Sequence, residues 1–87
     1  MYNRKVGLIM NKRATEILES TKNSEDYEKV NLSNEQYNYI YTKCAEITTD
    51  NEEKLWDKVE ELFHIFLIEL GYKWTENTYQ WELPITA

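Results

Sequence analysis

Residues 50–71 read DNEEKLWDKVEELFHIFLIELG and carry the longest helical pattern in the chain. At 100° per residue, one broad arc of this segment is apolar and the opposite arc is acidic, which is typical of an amphipathic helix. We therefore expect a helix over residues 51–70 that stops at Gly71, because glycine accepts the left-handed conformation common at helix C-termini. The apolar arc consists of Leu55, Trp56, Val59, Leu62, Phe63, Phe66, Leu67 and Leu70.

The polar side of this third predicted helix is strongly acidic. Thr49 and Asp50 are its candidate N-caps, since each has an acid three positions later that completes a capping box. Lys54 and Lys58 flank the acids at spacings that allow intrahelical ion pairs. We call the five carboxylates of this side the acidic stripe: Asp50, Glu53, Asp57, Glu60 and Glu61.

A second helix is predicted over residues 33–47, ahead of the acidic one. Ser33 is its N-cap, and Gln36 completes a capping box. Apolar and aromatic residues at spacings of three and four predict one buried face for this helix. That face consists of Tyr37, Ile40, Tyr41, Cys44 and Ile47.

The N-terminal part of the chain allows two predictions. Apolar residues at spacings of three and four predict one helix over residues 4–22. In this prediction, the segment of residues 1–10 is an N-terminal extension of the first helix. The alternative is a short strand over residues 2–8, whose alternate side chains share one face. Met10 is a second candidate for the start of translation. Residues 23–32 are predicted to connect the first helix to the second.

Residues 72–83 read YKWTENTYQWEL, and here the period changes from helical to alternating. Alternation around a short polar turn predicts a β-hairpin. One register turns at residues 76–77 and pairs Trp74 with Tyr79, whereas the other turns one residue later and pairs Trp74 with Trp81. Both registers place four aromatic rings on one face: Tyr72, Trp74, Tyr79 and Trp81.

An isolated two-stranded hairpin is marginal in water, so this one must dock on another surface. Ile65 and Ile68 lie on the polar side of the third helix and need a cover. We expect the aromatic hairpin to supply it. The same isoleucines and aromatic rings are the candidate interface of a homo-oligomer, because a core of this size supplies limited stability.

The expected fold is predominantly helical α+β, with a three-helix core and a C-terminal aromatic hairpin, in a single small acidic domain over residues 1–87. Hydrophobic residues make up 41% of the chain, which is enough for a core and argues against disorder. The segment 62–68 is its longest uncharged apolar run, far too short to span a bilayer. With no secretory pattern and one cysteine, the sequence favours a cytoplasmic protein without membrane contact.

Few residues offer catalytic or metal-binding chemistry. One histidine and one cysteine on different helices cannot form a zinc site, and no glycine-rich phosphate loop is present. Cys44 falls on a buried face, where a free cysteine behaves as a small apolar residue. His64 falls on the acidic side, four residues after Glu60, where we expect a partly solvated helix-face residue. The sequence therefore predicts no enzyme, no metal and no cofactor.

The two ends of the chain differ in charge. Residues 1–22 carry five basic and two acidic side chains, a net charge of +3, and residues 23–87 carry five lysines and fourteen acids, a net charge of -9. A basic N-terminal arm could contact DNA in a regulator or antitoxin, through Arg4, Lys5, Lys12 and Arg13. However, a body with a charge of -9 repels a duplex, so direct nucleic-acid binding is disfavoured. The arm could equally contact the acidic helix of its own chain or of a symmetry-related copy.

The acidic stripe is either an ordinary solvated face or a docking surface for a basic partner, on which its carboxylates imitate spaced phosphates. A second candidate patch combines the exposed aromatic Tyr39 with Glu35 and Glu46. The function we expect is that of a small binding protein that inhibits a larger protein by occupying its basic, nucleic-acid-binding surface. Small acidic proteins of this type include inhibitors and immunity proteins of phages and mobile elements, which would place the protein in the host cytoplasm.

Overall fold

The structure is a computed structural model that describes residues 10–84. Within that range three helices precede a two-stranded antiparallel hairpin, so the predicted α+β class is confirmed. None of the helices in this range is long and apolar enough to cross a membrane. The elements are α1 (Lys12–Lys22), a 3-10 turn (Glu25–Tyr27), α2 (Asn34–Ala45), α3 (Glu52–Glu69), β1 (Lys73–Thr75) and β2 (Gln80–Glu82).

Helix α1 begins much later than the predicted helix over residues 4–22. Asn11 is its N-cap, with an extended backbone and a side-chain oxygen that accepts a hydrogen bond from the Ala14 amide. Met10 and Asn11 are therefore not helical, and the prediction of one continuous helix is wrong at this point. Its extension into residues 1–9 and the alternative strand over residues 2–8 lie outside the described residues.

Asn11 also joins the start of α1 to the linker between α2 and α3. Its amide nitrogen Nδ2 donates to the carbonyl oxygens of Ile47 at 2.8 Å and Thr49 at 3.2 Å. Its backbone N–H donates to the Ala45 carbonyl at 2.9 Å. These bonds satisfy backbone carbonyls at the end of α2 and fix where α1 can start.

The capping box predicted for α2 is present. The Ser33 hydroxyl accepts from the Gln36 amide, and the Gln36 side chain accepts from the Ser33 amide. The helix ends at Ala45, two residues before the predicted end at Ile47. Ile40 and Cys44 are fully buried, whereas the rest of the predicted face is only partly buried.

Helix α3 has a different N-cap from those predicted. Asn51, rather than Thr49 or Asp50, accepts from the Lys54 amide. At the other end, Gly71 has a φ of 99°, as expected for the residue after a helix C-terminus.

One hydrophobic cluster lies between the three helices and extends to the hairpin. Helix α3 supplies more of the buried side chains of this cluster than any other element. Because fully burying an aliphatic or aromatic side chain stabilises the fold by about 1.5–3 kcal/mol, α3 also contributes the largest share of this stabilisation. Trp56 departs from the predicted apolar arc, because 36% of its surface is exposed. The buried members of the cluster are Ala14, Ile17, Leu18, Tyr27, Ile40, Cys44, Leu55, Val59, Phe63, Phe66, Leu67, Tyr72 and Trp81.

The hairpin adopts the second of the two predicted registers. Trp74 pairs with Trp81, and the Trp74 ring contacts the rings of both Trp81 and Tyr79. Tyr79 lies in the connecting loop with a left-handed backbone, so it leaves the alternation of the strand and is 70% exposed. Tyr72 is buried, and its hydroxyl accepts from the Asn31 amide at 3.1 Å.

The hairpin does not cover the side of α3 that the sequence indicated. Strand β2 packs against the 3-10 turn, and the Trp81 ring stacks on His64 at a centroid distance of 4.8 Å. Ile65 and Ile68 remain 48% and 60% exposed. The expectation that these isoleucines are the covered site is therefore wrong, because the hairpin docks on the neighbouring side of the helix.

Candidate interaction surface

The acidic stripe is positioned by the register of α3. Leu55, Val59 and Phe63 are fully buried against the other helices, which forces the opposite side of the same helix into solvent. All five carboxylates of the stripe are accordingly exposed. Glu53 and Glu61 are separated by eight residues, so the helical part of the stripe is about 12 Å long.

None of the five carboxylates forms an ion pair with a lysine or arginine within residues 10–84. Lys54 and Lys58 do not make the intrahelical pairs that their spacing predicted, and both side chains are exposed. Within the described residues, the stripe is therefore not neutralised by direct ion pairs. Such a line of negative charge attracts cationic surfaces over about one Debye length.

Glu52, in the first turn of α3 but outside the stripe, does have a basic partner. Its carboxylate accepts from two nitrogens of Arg13, each at 2.7 Å, and this contact lowers the pKa of Glu52. Arg13 also contacts Glu16 at 3.2 Å. Arg13, a residue of the proposed basic arm, thus binds the acidic helix of its own chain. Lys12, the preceding residue of that arm, is exposed and forms no ion pair with residues 10–84. Arg4 and Lys5 lie outside the described residues.

The second candidate patch is split along α2. Tyr39 is 51% exposed and stacks on Phe66 of α3 at 5.3 Å, with the Lys43 ammonium 5.5 Å from its ring centroid. Glu35 is exposed and lies beside Tyr39. Glu46 is exposed near the other end of α2, where it lines a shallow groove together with Glu61 of the stripe. The structure therefore brings Glu46 to the stripe and leaves Tyr39 and Glu35 apart from it.

A shallow apolar groove of about 360 Å³ lies between the C-terminal end of α3 and the hairpin. Ile68 forms one wall, and Trp74, 40% exposed, is among the hairpin residues of the other. We define the apolar end of α3 as Ile65 and Ile68. Of these two residues, Ile68 lines the groove, which lies beyond the C-terminal end of the acidic stripe. The groove is lined by Ile68, Gly71, Tyr72, Lys73, Trp74 and Trp81.

His64 is partly buried, in agreement with the predicted partly solvated helix-face residue, but it also contacts the hairpin, which the sequence did not predict. Its Nε2 atom lies 2.6 Å from the Tyr27 hydroxyl, and Trp81 covers its ring. Burial lowers the pKa of His64, against the opposing influence of the Glu60 and Asp26 carboxylates. Burial also raises the pKa of Tyr27 to about 12. A protonated phenol next to a neutral imidazole suits a hydrogen bond from Tyr27 to His64.

Cys44 is fully buried in α2, as predicted from its place on the apolar face. Burial raises the pKa of its thiol to about 11, which disfavours the reactive thiolate. The Nε2 atom of His64 is hydrogen-bonded to Tyr27 and not to Cys44, so this nitrogen does not serve as the base of a Cys–His pair. Across residues 10–84, no three His, Cys, Asp or Glu side chains are grouped so that they could hold a metal ion.

The Arg13–Glu52 pair is an instance of the contact between the basic arm and the acidic helix that the sequence allowed, although the pair itself was not singled out. The Tyr27–His64–Trp81 group was not predicted. Both join residues that are distant in the sequence, so no local spacing signals them. Comparison of the chain with protein-family models, curated proteins and solved structures finds no match.

Proposed function

We propose that this protein is a small acidic binding protein that inhibits or neutralises a larger protein by occupying its basic, nucleic-acid-binding surface. The observation that carries the proposal is the acidic stripe, five exposed carboxylates without an ion-pair partner in residues 10–84. Such a stripe presents spaced negative charge in a rigid helical frame, as a nucleic-acid backbone does. Inhibitors and immunity proteins of phages and mobile elements are the type of protein that this function fits.

Charge reversal tests the proposal. Glu53→Lys, Asp57→Lys and Glu60→Lys are combined in one variant, because neighbouring charges act together on a partner. A matched control reverses Glu25, Glu28 and Glu76, which are also exposed, so both variants have the same net charge. Each exposed ion pair with the partner contributes about 0.2–1 kcal/mol, and each reversal adds a repulsion of similar size, so the stripe variant should bind about tenfold more weakly.

The measurement is affinity capture from a lysate of the source cells at low and high salt, followed by binding assays with the purified partner. The proposal is supported if the captured protein binds nucleic acid and if the wild type and the control variant both displace the nucleic acid from it. The stripe variant should not displace the nucleic acid. Equal displacement by the stripe variant and the wild type would refute the proposal. The binding should also weaken as salt is raised, because counterions screen exposed charges.

Homo-oligomerisation is a second candidate function, favoured by the exposure of Ile65 and Ile68. Exposed apolar side chains that border a groove are common in interfaces between copies of one chain. Sedimentation at about 50 µM distinguishes a monomer from an oligomer, since association follows mass action. A homo-oligomer that forms through these residues should dissociate when Ile68 is replaced by aspartate.

A further inference from the structure

The solvent face of α3 is divided into two chemically different halves. Glu53, Asp57 and Glu61 occupy its N-terminal half, and all three are exposed. The apolar end continues this face toward the C-terminus, with Ile65 and Ile68 48% and 60% exposed. From Glu53 to Ile68 the face is about 22 Å long, since each helical residue rises 1.5 Å.

Each half of the face borders a different groove. Beside the acidic half, Lys43 and Glu46 of α2 lie across a shallow groove from Lys58 and Glu61, so four charged side chains line it. Beside the apolar end, Ile68 and the hairpin enclose the apolar groove of about 360 Å³. A partner that lies along α3 therefore meets charge at one end and an apolar depression at the other.

The charges of the chain favour a basic partner over a second copy of this chain as the occupant of the apolar groove. Each copy has a net charge of -6, so two copies repel each other, and this repulsion opposes the gain from apolar contact. Two lysines lie near this face: Lys73 lines the apolar groove, and Lys58 lies beside the stripe. Within residues 10–84, neither lysine forms an ion pair with a carboxylate of the stripe. A cationic segment gains attraction along the same face on which a second copy is repelled.

We infer that the partner of the proposed function binds through an amphipathic segment, in which lysines or arginines contact the acidic stripe and an apolar side chain enters the groove beside Ile68. This inference rests on the proposed function and adds to it the chemistry of the partner. Asp57 and Ile68 are eleven residues apart, so the anchor and the basic residues of a helical partner are about 16 Å apart. The apolar anchor supplies contact area, and the charges supply orientation and fast association.

The experiment uses synthetic helical peptides of about 16 residues as probes. One peptide carries lysines and arginines in its first half and two leucines in its last turn, and a second peptide has serines in place of the leucines. Binding of each peptide to the full-length protein is measured by calorimetry in about 50 mM and about 300 mM NaCl.

Three variants are compared with the wild type. The first replaces both Ile65 and Ile68 by serine, and the second is the stripe variant with Glu53, Asp57 and Glu60 replaced by lysine. The control is Met10→Ser, because Met10 is 50% exposed and is not part of α3. The isoleucines are surface residues, so their replacement should leave the fold intact, which circular dichroism checks.

The expected result separates the two halves of the face. For the wild type and for the Met10 variant, the affinity of the leucine peptide should be about ten times that of the serine peptide. A tenfold difference is what the burial of one apolar side chain supplies. The double serine variant should bind both peptides equally. The stripe variant should bind both peptides at least about tenfold more weakly, and the salt dependence of binding should decrease.

Three outcomes would overturn the inference. If the double serine variant keeps the preference for leucine while the stripe variant loses affinity, the anchor site is wrong and the proposed function stands. If the stripe variant binds as the wild type does, or the leucine peptide does not bind at about 50 mM NaCl, the proposed function loses its support as well. If sedimentation shows a dimer that tightens with salt and dissociates in the double serine variant, a second copy occupies the groove.

Discussion

Acidifying the protein from about pH 7 to about pH 5.5 should lower its free energy of unfolding, because His64 is neutral in the folded state. Burial under Trp81 lowers the pKa of His64 below its ordinary value of 6.5. In the unfolded chain the same imidazole has the ordinary pKa. Between the two pKa values the unfolded chain binds more protons, so stability is complete above about pH 6.5 and decreases as the pH falls toward the folded-state pKa.

The change in the free energy of unfolding with pH is limited by the number of protons that the chain takes up on unfolding. One group changes the free energy of unfolding by at most about 1.4 kcal/mol per pH unit. The actual slope lies below this limit, because His64 is only partly buried and the carboxylates of Glu60 and Asp26 favour its protonation. The chain has one histidine, and the lowered pKa values of Glu52 and Glu82 affect stability only in more acidic solution.

The assay is urea unfolding followed by far-ultraviolet circular dichroism at both pH values. His64→Gln is the test variant, since glutamine can still accept a hydrogen bond from Tyr27 but does not titrate. Its free energy of unfolding should be the same at both pH values. Tyr27→Phe should lower stability by about 1 kcal/mol and also reduce the pH dependence, because it removes the donor that favours neutral His64.

The reasoning is refuted if the wild type is equally stable at both pH values, or if His64→Gln keeps the slope of the wild type. In the first case the imidazole would be as accessible to protons in the folded state as in the unfolded chain. In the second case the pH dependence would come from another group. A titration of the His64 ring by NMR, which should show a pKa below 6.5, provides an independent check.

Other predictions concern backbone and core positions. Gly71→Ala should lower the free energy of unfolding by about 1–2 kcal/mol in urea titrations, because the φ of 99° strains any residue with a Cβ. Asn11→Ala should cost more than Asn51→Ala, about 2 against about 1 kcal/mol, since Asn11 caps α1 and also donates two bonds to the α2–α3 linker. At about pH 8, Cys44 should react with a thiol reagent only at the rate of unfolding, because the thiol is buried and its pKa is raised to about 11.

The features of this fold that could be predicted from sequence are those set by local periodicity. The apolar arc of α3 and the Ser33–Gln36 capping box depend on side chains within four positions of each other, so their spacing is sufficient. Gly71 is a similar local signal. The exposure of the acidic stripe follows from the same period, because burial of one side of a helix fixes which side faces solvent.

The features that could not be predicted depend on contacts between distant residues. Thr49, Asp50 and Asn51 all suit an N-cap, and local sequence does not distinguish them. In the structure the Thr49 carbonyl accepts from the Asn11 side chain, so Thr49 is tied to the start of α1 and the first turn of α3 follows Asn51. The same Asn11 is the N-cap of the first helix, which therefore begins later than predicted, so the interactions of one residue account for both errors.

His64 shows the same limit at the candidate site. Helical period places it on the acidic side, and this placement is correct. Its burial is caused by Trp81, seventeen residues later, and by Tyr27 from the 3-10 turn. Because the hairpin docks on His64, it leaves the neighbouring Ile65 and Ile68 uncovered.

The exposure of these two isoleucines has an energetic consequence for the proposed surface. A small domain buries a low fraction of its surface. Full burial of an apolar side chain supplies about 1.5–3 kcal/mol, and because Ile65 and Ile68 are about half exposed, each forgoes about half of that amount. Here the two side chains are one helical turn apart and continue the acidic stripe on the same helix, and Ile68 also lines an apolar groove. Scattered exposure would need no explanation, whereas contiguous exposure beside unneutralised charge is typical of an interaction surface. The hairpin that fails to cover Ile65 and Ile68 therefore forms the second wall of the site at which we expect a partner to bind.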